Sequence, residues 1–179
     1  MRIIGGRLSR RHINPPSGLP VRPTTDKAKE ALFNILNNHI DFEAVRVLDL
    51  FAGTGSIAYE FASRNAIEVV AIDNNARCVR FIKDVKEKLE MDNLSVIKAD
   101  ALRFLRNKMT SYDIIFCDPP YDMKGIEDIP DMVFKNNLLL PEGFLIVEHS
   151  DHVQLDDHPA FVFKRNYSKV HFSFFNASE

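Results

Sequence analysis

Residues 45–56 read VRVLDLFAGTGS, and this stretch decides the fold class. Val45–Leu50 is a short apolar run with β-branched residues, which is typical of a strand buried on both faces of a sheet. A glycine-rich turn, Gly53-Thr54-Gly55, and a predicted helix come directly after it. Strand, turn and helix in this order predict the first unit of an α/β sheet that binds its ligand at the carboxyl ends of the strands.

The same alternation continues along the chain. Four further runs of this type are predicted strands: Val69–Ile72, Leu94–Lys98, Asp113–Cys117 and Phe144–Val147. The amphipathic segments between them are predicted helices, of which the clearest are Asn75–Leu89 and Ala101–Met109. This alternation predicts a parallel sheet with helices on both faces, because crossovers between parallel strands are right-handed.

The last two predicted strands depart from the alternation. Ala160–Lys164 and Val170–Phe175 have only a turn between them, so they are expected to form an antiparallel hairpin that closes the sheet. The expected architecture is therefore α/β, with a mostly parallel sheet that ends in an antiparallel hairpin.

The N-terminus is predicted to be a basic arm. Arg2–Gly5 and Arg11–Asn14 flank a turn of Gly, Arg and Ser, and we expect them to pair as a small β-hairpin. Residues 1–25 carry five arginines and no acid, whereas the other 154 residues carry 18 basic and 25 acidic residues, a net charge of −7. A basic edge on an acidic body favours a polyanionic partner. We divide the chain into an arm, residues 1–24, and an α/β domain, residues 25–179.

Composition excludes several classes of protein. The chain has 179 residues, of which 45% are hydrophobic and 27% charged, as in one globular domain. Its apolar runs are shorter than the roughly 20 residues of a membrane span, and no apolar signal-peptide core follows the first charges. Cys78, Cys117 and the six histidines lack metal-binding or disulfide spacing. We therefore expect a cytoplasmic monomer without a metal.

The glycine-rich turn matches the loose dinucleotide-binding pattern as Gly53-x-Gly55-x-x-Ala58. The alternative interpretation is a tight turn between strand and helix that binds no ligand. Asp49 changes the expected ligand, because a carboxylate at the strand tip repels a pyrophosphate and attracts a cationic amine. S-adenosylmethionine (SAM) carries such an amine and no phosphate. Phe51, which follows this strand, is assigned to the same cofactor site, with packing in the core as its alternative.

Two further acids follow the next predicted strands. Asp73 lies 18 residues after Gly55, where an acid can accept the hydrogen bonds of both ribose hydroxyls. Asp100 can accept from the 6-amino group of adenine, and the Ala101 N–H can reach a ring nitrogen. A helix cap is the alternative for both acids. Acids at three consecutive strand tips disfavour a phosphate ligand.

The most specific segment is Asp118-Pro119-Pro120-Tyr121, directly after the fourth predicted strand. The exocyclic amine of a nucleobase is a poor nucleophile, because its lone pair is delocalised into the ring. The Asp118 carboxylate and the Pro119 carbonyl can bind the two N–H groups of such an amine and stabilise the positive charge that develops on it. Prolines supply carbonyls without N–H donors, and Tyr121 can stack on the base. An ordinary turn is the alternative.

These motifs together resemble a known class of enzymes. DLFAGTG at residues 49–55 and DPPY at residues 118–121 resemble the class I SAM-dependent methyltransferases that methylate amino groups. MRIIGGR at residues 1–7 and RPTTDKAKEALFN at residues 22–34 are similar to the RsmD family, bacterial methylases of the 2-amino group of one guanine in 16S rRNA. The resemblance extends from the start of the chain to about Glu148.

The resemblance implies a Rossmann-like domain with a seven-stranded sheet and an N-terminal β-hairpin extension, acting on the small ribosomal subunit. The cofactor residues that it implies are Arg22, Thr24 and Thr25 over the methionine end of SAM, Gly53 and Gly55 beneath it, Asp73 at the ribose, and Asp100 and Ala101 at the adenine. Asp118–Tyr121 would hold the guanine. Arg7, Arg10 and Arg11 are expected to neutralise RNA phosphates, with a solvated arm as the alternative.

Three other functions remain open from the sequence. A DNA adenine or cytosine amino-methylase shares the DPPY chemistry, but fewer than 30 residues follow Asp151 to supply a separate target-recognition segment. A nicotinamide-dependent oxidoreductase would use the glycine-rich turn and leave DPPY unexplained. A non-catalytic RNA-binding module would keep the basic arm and would have lost turnover.

Overall fold

The computed structural model describes residues 1–19, 21, 24–107, 110–167 and 170–176. The helices are α1 (Asp26–Leu36), α2 (Ser56–Ser63), α3 (Ala76–Lys88), α4 (Ala101–Asn107) and α5 (Ile129–Lys135). The strands are β1 (Arg46–Leu50), β2 (Glu68–Asp73), β3 (Leu94–Lys98), β4 (Tyr112–Cys117), β5 (Leu139–His149), β6 (Phe161–Tyr167) and β7 (Val170–Asn176). Within these residues no helix is long and apolar enough to cross a membrane.

The strands form one seven-stranded sheet in the order β3-β2-β1-β4-β5-β7-β6. The first five strands in this order pair in parallel, whereas β7 pairs antiparallel with both β5 and β6. The predicted parallel sheet with a closing antiparallel hairpin is therefore confirmed. The chain moves from β1 outward through β2 to β3 and then returns to the other side of β1, so the strand order reverses between β1 and β4.

The central strands β1, β2 and β4 are buried on both faces: successive side chains point to opposite faces, and nearly all of them are buried. In β1, Val47 packs into one hydrophobic cluster with α1 and α2, whereas Leu48 and Leu50 pack into a second cluster with α4 and α5. This explains why β1 has a nearly continuous apolar sequence instead of an alternating one.

The N-terminal segment, residues 1–13, packs against α2. Its two halves pair antiparallel at Arg2 and His12, where Ile3 N donates to Arg11 O and Ile13 N donates to Met1 O, both at 3.0 Å, so the predicted hairpin is present but shorter than predicted. The pairing stops there because Ile4 N and Gly5 N donate to the Glu60 carboxylate of α2, at 2.7 and 3.3 Å. The turn that follows is held on the same helix by Arg7 N, which donates to Ser63 O at 2.7 Å. Gly6 has a φ of +74°, and a Cβ there would lie 1.9 Å from Ser63 O, so this contact requires glycine.

A buried ion-pair cluster, Lys29, Glu60 and Arg64, joins the N-terminal segment to α1 and α2. Lys29 Nζ lies 3.0 Å from Glu60 Oε1, and these two side chains are 1% and 0% exposed. Arg64 pairs with the other oxygen of Glu60. Glu60 also accepts from the backbone N of Ile4 at 2.7 Å, and Lys29 donates to Arg2 O at 2.5 Å. The cluster therefore satisfies backbone groups that would otherwise be buried without partners.

Two elements differ from the sequence prediction. β5 begins at Leu139 instead of Phe144, because Pro141-Glu142-Gly143 continues the strand although it has the composition of a turn. Glu142 adopts a φ of +62° there, and the pairing with β4 shifts register between Tyr112 and Ile114. Helix α5 was not predicted, since it has only seven residues and a proline in its first turn.

Candidate active site

A cleft of about 1550 Å³ lies at the carboxyl ends of β1 to β5, where the strand order reverses. Ligands of open α/β sheets bind at this position. Most of the predicted site residues line the cleft: Thr24, Thr25, Asp49, Phe51, Gly53, Asp73, Asp100, Ala101 and Asp118–Tyr121. Residues predicted from separate motifs for the cofactor and for the target base are thus brought together.

The other predicted site residues lie elsewhere. Arg22 lies outside the described residues. Gly55 is the N-cap of α2 and is not among the described residues that line the cleft; a Cβ there would come within 2.7 Å of Tyr59 Cζ. Arg7, Arg10 and Arg11 belong to the N-terminal segment and are not among the described residues that line the cleft. All three arginines are exposed, and Arg7 also donates to the backbone O of Glu90 at 2.5 Å and so has a structural contact.

The glycine-rich turn is held by two buried carboxylates. Asp49 Oδ2 accepts from Ala58 N at 3.0 Å, which satisfies an N–H in the first turn of α2. Asp73 Oδ2 accepts from Gly53 N at 2.8 Å and joins the ends of β1 and β2. Phe51 adopts a φ of +60°, lines the cleft and also packs against the second core cluster, so it has packing in the core while its contact with the cofactor stays a prediction.

A helix cap was the alternative role for Asp73 and Asp100, and of these two acids only Asp100 caps a helix. Asp73 is not the cap of α3: the N-cap is Asn75, whose side chain accepts from Arg77 N at 2.9 Å, while Asp73 Oδ1 accepts from Asn75 N at 2.7 Å. Asp100 does cap α4, since its Oδ1 accepts from Arg103 N at 2.8 Å, and its side chain is exposed at the cleft. A cap and a ligand contact are compatible for Asp100, because a carboxylate has several acceptor positions.

The DPPY turn follows β4 and lies between the ends of two neighbouring strands. Cys117 pairs with Leu50 of β1 and with Val147 of β5, so Asp118 leaves the sheet between these strands. Pro119 is buried and Pro120 is exposed, and Pro120 O accepts from Met123 N at 2.9 Å, which closes the turn. Tyr121 is 62% exposed at the rim of the cleft, as a base-stacking side chain would need to be.

Glu148, which no sequence motif predicted, is a further acid of this site. It lies near the end of β5, is 4% exposed and lines the cleft. Its Oε2 has no hydrogen-bond partner among the described residues. The available signal was its position: like Asp49 and Asp73, Glu148 is an acid near the carboxyl end of an apolar strand.

Burial dominates the electrostatics of the cleft. Burial raises the pKa of Asp49 well above its usual range, the Ala58 N–H opposes this shift, and the charges of Asp118 and Asp73 add to it. Burial also raises the pKa of Asp118. For Glu148, burial raises the pKa first and the neighbouring charge of Asp118 raises it further. These carboxyls therefore lose their protons at a higher pH than free carboxylic acids do.

This electrostatic arrangement predicts how stability depends on pH. Because the pKa of Glu148 is higher in the folded state than in the unfolded state, its contribution to stability is present below the ordinary glutamate range and is lost as pH rises above it. A Glu148→Gln variant lacks this loss. We expect it to melt at a higher temperature than the wild type by roughly 2–4 °C at about pH 9, and by less at about pH 5.5. Thermal unfolding at both pH values measures the difference, and an equal offset at both would contradict the buried-acid interpretation.

Comparison with known structures defines the class of protein. The chain superposes on the Escherichia coli protein yhhF with a TM-score of 0.84, at 27% identity over 98% of this chain and 97% of that one. It also shares the fold of the Thermus thermophilus 16S rRNA N2 G1207 methyltransferase RsmC, solved with AdoMet and guanosine, with a TM-score of 0.70 at 22% identity over 90% of this chain and 46% of that one. The fold is the Rossmann-like fold of the class I methyltransferases.

The sequence comparison identifies the family. Residues 1–176 match the family described as "Conserved hypothetical protein 95", and the chain belongs to that family. The Ribosomal RNA small subunit methyltransferase D of Escherichia coli K12 is 34% identical over 149 residues, which span 83% of this chain and 74% of the relative. That of Buchnera aphidicola (strain Bp) is 30% identical over 151 residues, 84% of this chain and 76% of the relative. The resemblance to the RsmD family is confirmed.

Proposed function

We propose that this protein transfers a methyl group from SAM to the exocyclic N2 amine of a guanine in 16S rRNA of the small ribosomal subunit. The observation that carries this proposal is the position of Asp118. Its half-buried carboxyl and the following proline carbonyl lie in the same cleft as the glycine-rich turn that follows β1. The names of the relatives, rRNA small subunit methyltransferases, support the RNA substrate.

The cleft has the features that SAM requires. Its volume exceeds the several hundred Å³ of a typical small-molecule site, so a cofactor and a base fit together. Ser56 Oγ, at the start of α2, lines the cleft and is buried without a partner among the described residues. The strand-tip acids disfavour a dinucleotide, because its pyrophosphate would be repelled. SAM would supply an electrophilic methyl group on a sulfonium.

The cofactor contacts follow the sequence prediction. We assign the methionine end to Thr24, Thr25 and Asp49, with Gly53 and Gly55 beneath it and with Arg22 as a further sequence-based assignment. Asp73 is assigned to the ribose, and its two oxygens already accept from Gly53 N and Asn75 N, which fixes the orientation of the carboxylate. Asp100 and Ala101 are assigned to the adenine, and Phe51 packs at the same site.

The reaction then depends on how the DPPY turn holds the target amine. Asp118 and the Pro119 carbonyl each accept one N–H, which aims the nitrogen lone pair at the methyl group. As the nitrogen–carbon bond forms and the sulfur–carbon bond breaks, the nitrogen becomes positively charged. Asp118 stabilises this charge and can take the proton that the nitrogen must release, since burial makes its carboxylate a stronger base. Pro120 shapes the turn, and Tyr121 stacks on the base.

The test is methyl transfer from labelled SAM to small ribosomal subunits that lack the modification, followed by nucleoside analysis. Label in N2-methylguanosine is the expected result. Label in a methyladenosine or methylcytidine would keep the chemistry and reject guanine as the target. Labelled free RNA with unlabelled subunits would reject the assembled subunit as substrate. No label despite SAM binding would favour a non-catalytic RNA-binding module, and tight NADH binding without SAM binding would favour an oxidoreductase.

The exposed arginines of the N-terminal segment are proposed to contact RNA phosphates. We expect an Arg10→Gln/Arg11→Gln double variant to bind subunits more weakly. The slope of log affinity against log salt concentration should become shallower by roughly one to two, because fewer counterions are released on binding when fewer phosphates are neutralised. Binding of SAM should not change. Subunit binding measured at several salt concentrations tests this, and Lys135→Gln is the control for a general change of charge. An equal effect of the control would reject a specific role for the arm.

We further propose that the protein acts as a cytoplasmic monomer, with residues 1–24 as an RNA-binding arm and residues 25–179 as the methyltransferase domain. Cys78 and Cys117 are both buried and form no disulfide, which is consistent with that compartment. Light scattering of the purified protein tests the monomer, and a stable dimer would reject it.

A further inference from the structure

Glu148 Oε2 is the one carboxylate oxygen of the described residues that is fully buried and has no hydrogen-bond partner. Four carboxylates are buried there: Asp49, Glu60, Asp73 and Glu148. The first three accept hydrogen bonds from backbone N–H groups or from basic side chains. Glu148 Oε2 is buried and accepts none. An acceptor buried without a partner destabilises a fold, so its presence at a cleft points to a ligand that supplies the donor.

The position of Glu148 relative to Asp118 indicates which donor that is. Cys117 of β4 pairs in register with Val147 of β5, so Asp118 and Glu148 are the next residues of two adjacent parallel strands. The charge of Asp118 acts directly on Glu148, and both residues line the cleft. A group that binds Asp118 therefore has its neighbouring atoms within reach of Glu148.

The Watson–Crick edge of guanine has the donors that this arrangement needs. Its N2 amine carries two N–H groups, and the adjacent ring atom N1 carries a third. The DPPY turn has two acceptors, the Asp118 carboxylate and the Pro119 carbonyl, which match the amine alone. A third acceptor beside them matches N1–H. In adenine and cytosine the ring nitrogen next to the amine is itself an acceptor, so it offers the ionised Glu148 carboxylate no hydrogen to accept. The N1–H of guanine does offer one, and by donating to the carboxylate it favours that ionised form.

The geometry points to Glu148 as the residue that selects guanine, its carboxyl accepting a hydrogen bond from N1–H while Asp118 and Pro119 hold the N2 amine. This assignment rests on the proposed function, guanine N2 methylation, and adds the choice of base. The DPPY turn by itself can hold any exocyclic amine. A second carboxyl on the adjacent strand supplies the discrimination, because a site built to bind an N–H strongly rejects an analogue that lacks it.

The experiment compares two bases at the methylated position, once nucleoside analysis has located it. Subunits are reconstituted with 16S rRNA that carries either guanine or 2-aminopurine there. 2-Aminopurine keeps the N2 amine but has an unprotonated N1 and no O6. The measured quantity is the ratio of kcat/KM for guanine to kcat/KM for 2-aminopurine. The missing O6 affects this ratio equally in every variant, and a general loss of folded enzyme lowers both rates alike. Both effects therefore cancel when the ratio is compared between variants.

We expect the wild type to favour guanine by at least about 100-fold. In Glu148→Gln the side-chain amide can donate to the unprotonated N1 of 2-aminopurine, so the preference should fall by at least about tenfold. In Glu148→Leu the rate with guanine should fall while the rate with 2-aminopurine stays close to that of the wild type. Glu142→Gln is the matched control, since Glu142 lies on the same strand and is exposed at its other end.

The outcomes separate this inference from the proposed function. If the wild type forms no N2-methylguanosine, the proposed function fails before the variants are compared. If the wild type forms it and Glu148→Gln keeps the full preference for guanine, the role of Glu148 is rejected. A merely structural role would lower both rates together and leave the ratio unchanged. Calorimetric SAM binding should be equal in the wild type and in Glu148→Gln.

Discussion

Replacing Asp118 by alanine is expected to lower the rate of methyl transfer by about 100- to 1000-fold, while the affinity for SAM stays within about threefold. The reason is that Asp118 supplies one of the two acceptors that orient the target amine, and it is the group that stabilises the charge on the nitrogen. Single-turnover kinetics with small ribosomal subunits measure the loss. Calorimetry with SAM measures cofactor binding independently.

The matched control is Asp92→Ala. Asp92 is an exposed acid just before the amino end of β3, whereas the cleft lies at the carboxyl ends of the strands. Its removal should leave both the rate and SAM binding unchanged. Methyl transfer by Asp118→Ala at the wild-type rate would reject the assignment of the DPPY turn as the catalytic turn. Loss of both transfer and SAM binding would instead place Asp118 at the cofactor.

Replacing Lys29 by methionine is expected to lower the free energy of unfolding by about 3 kcal/mol. Methionine keeps most of the side-chain volume but removes the charge, so Glu60 remains buried with only Arg64 and backbone N–H groups as partners. Removing one member of a buried ion pair leaves an incompletely compensated charge. The melting temperature should fall by roughly 6–12 °C for a domain of this size.

Lys135→Met is the matched control, because Lys135 also pairs with an acid, Asp131, at 2.8 Å, but both side chains are largely exposed. An exposed pair one helical turn apart contributes about 0.5 kcal/mol or less. Equal destabilisation by the two variants would contradict the claim that the buried ion pair contributes more to stability than the exposed one. Because Glu60 also binds the backbone N of Ile4, the Lys29→Met variant should expose residues 1–13 to limited proteolysis before the domain unfolds.

The catalytic turn and the cofactor turn could be predicted from the sequence because their signals are local. Gly53-Thr54-Gly55 and Asp118–Tyr121 each follow an apolar strand directly, and parallel strands bring their carboxyl ends to one edge. The structure confirms the sheet and places both turns on one cleft. The individual contacts of the site residues with SAM and RNA stay predictions.

Two other features could not be predicted, because the local sequence indicates a different structure from the one that forms. Pro141-Glu142-Gly143 has the composition of a turn, yet it continues β5, because pairing with β4 outweighs the local preference. The N-terminal segment reads as an independent basic hairpin, yet Ile3 and Ile13 are buried in the core and its backbone binds α2. Arg7, Arg10 and Arg11 are all exposed, but only Arg7 of the three donates to a backbone group among the described residues of the domain, Glu90 O.

By itself, the sequence determined the alternation of strands and helices, the closing hairpin and the two turns that carry cofactor and base chemistry. Each of these depends on residues that are close together in the chain, through apolar periodicity and the conformations of glycine and proline. Only the tertiary structure decided that Glu148 lies beside Asp118 and that Lys29 is buried against Glu60. Each pair joins residues about 30 positions apart, and their contact arises from strand order, register and helix packing, which no local pattern encodes.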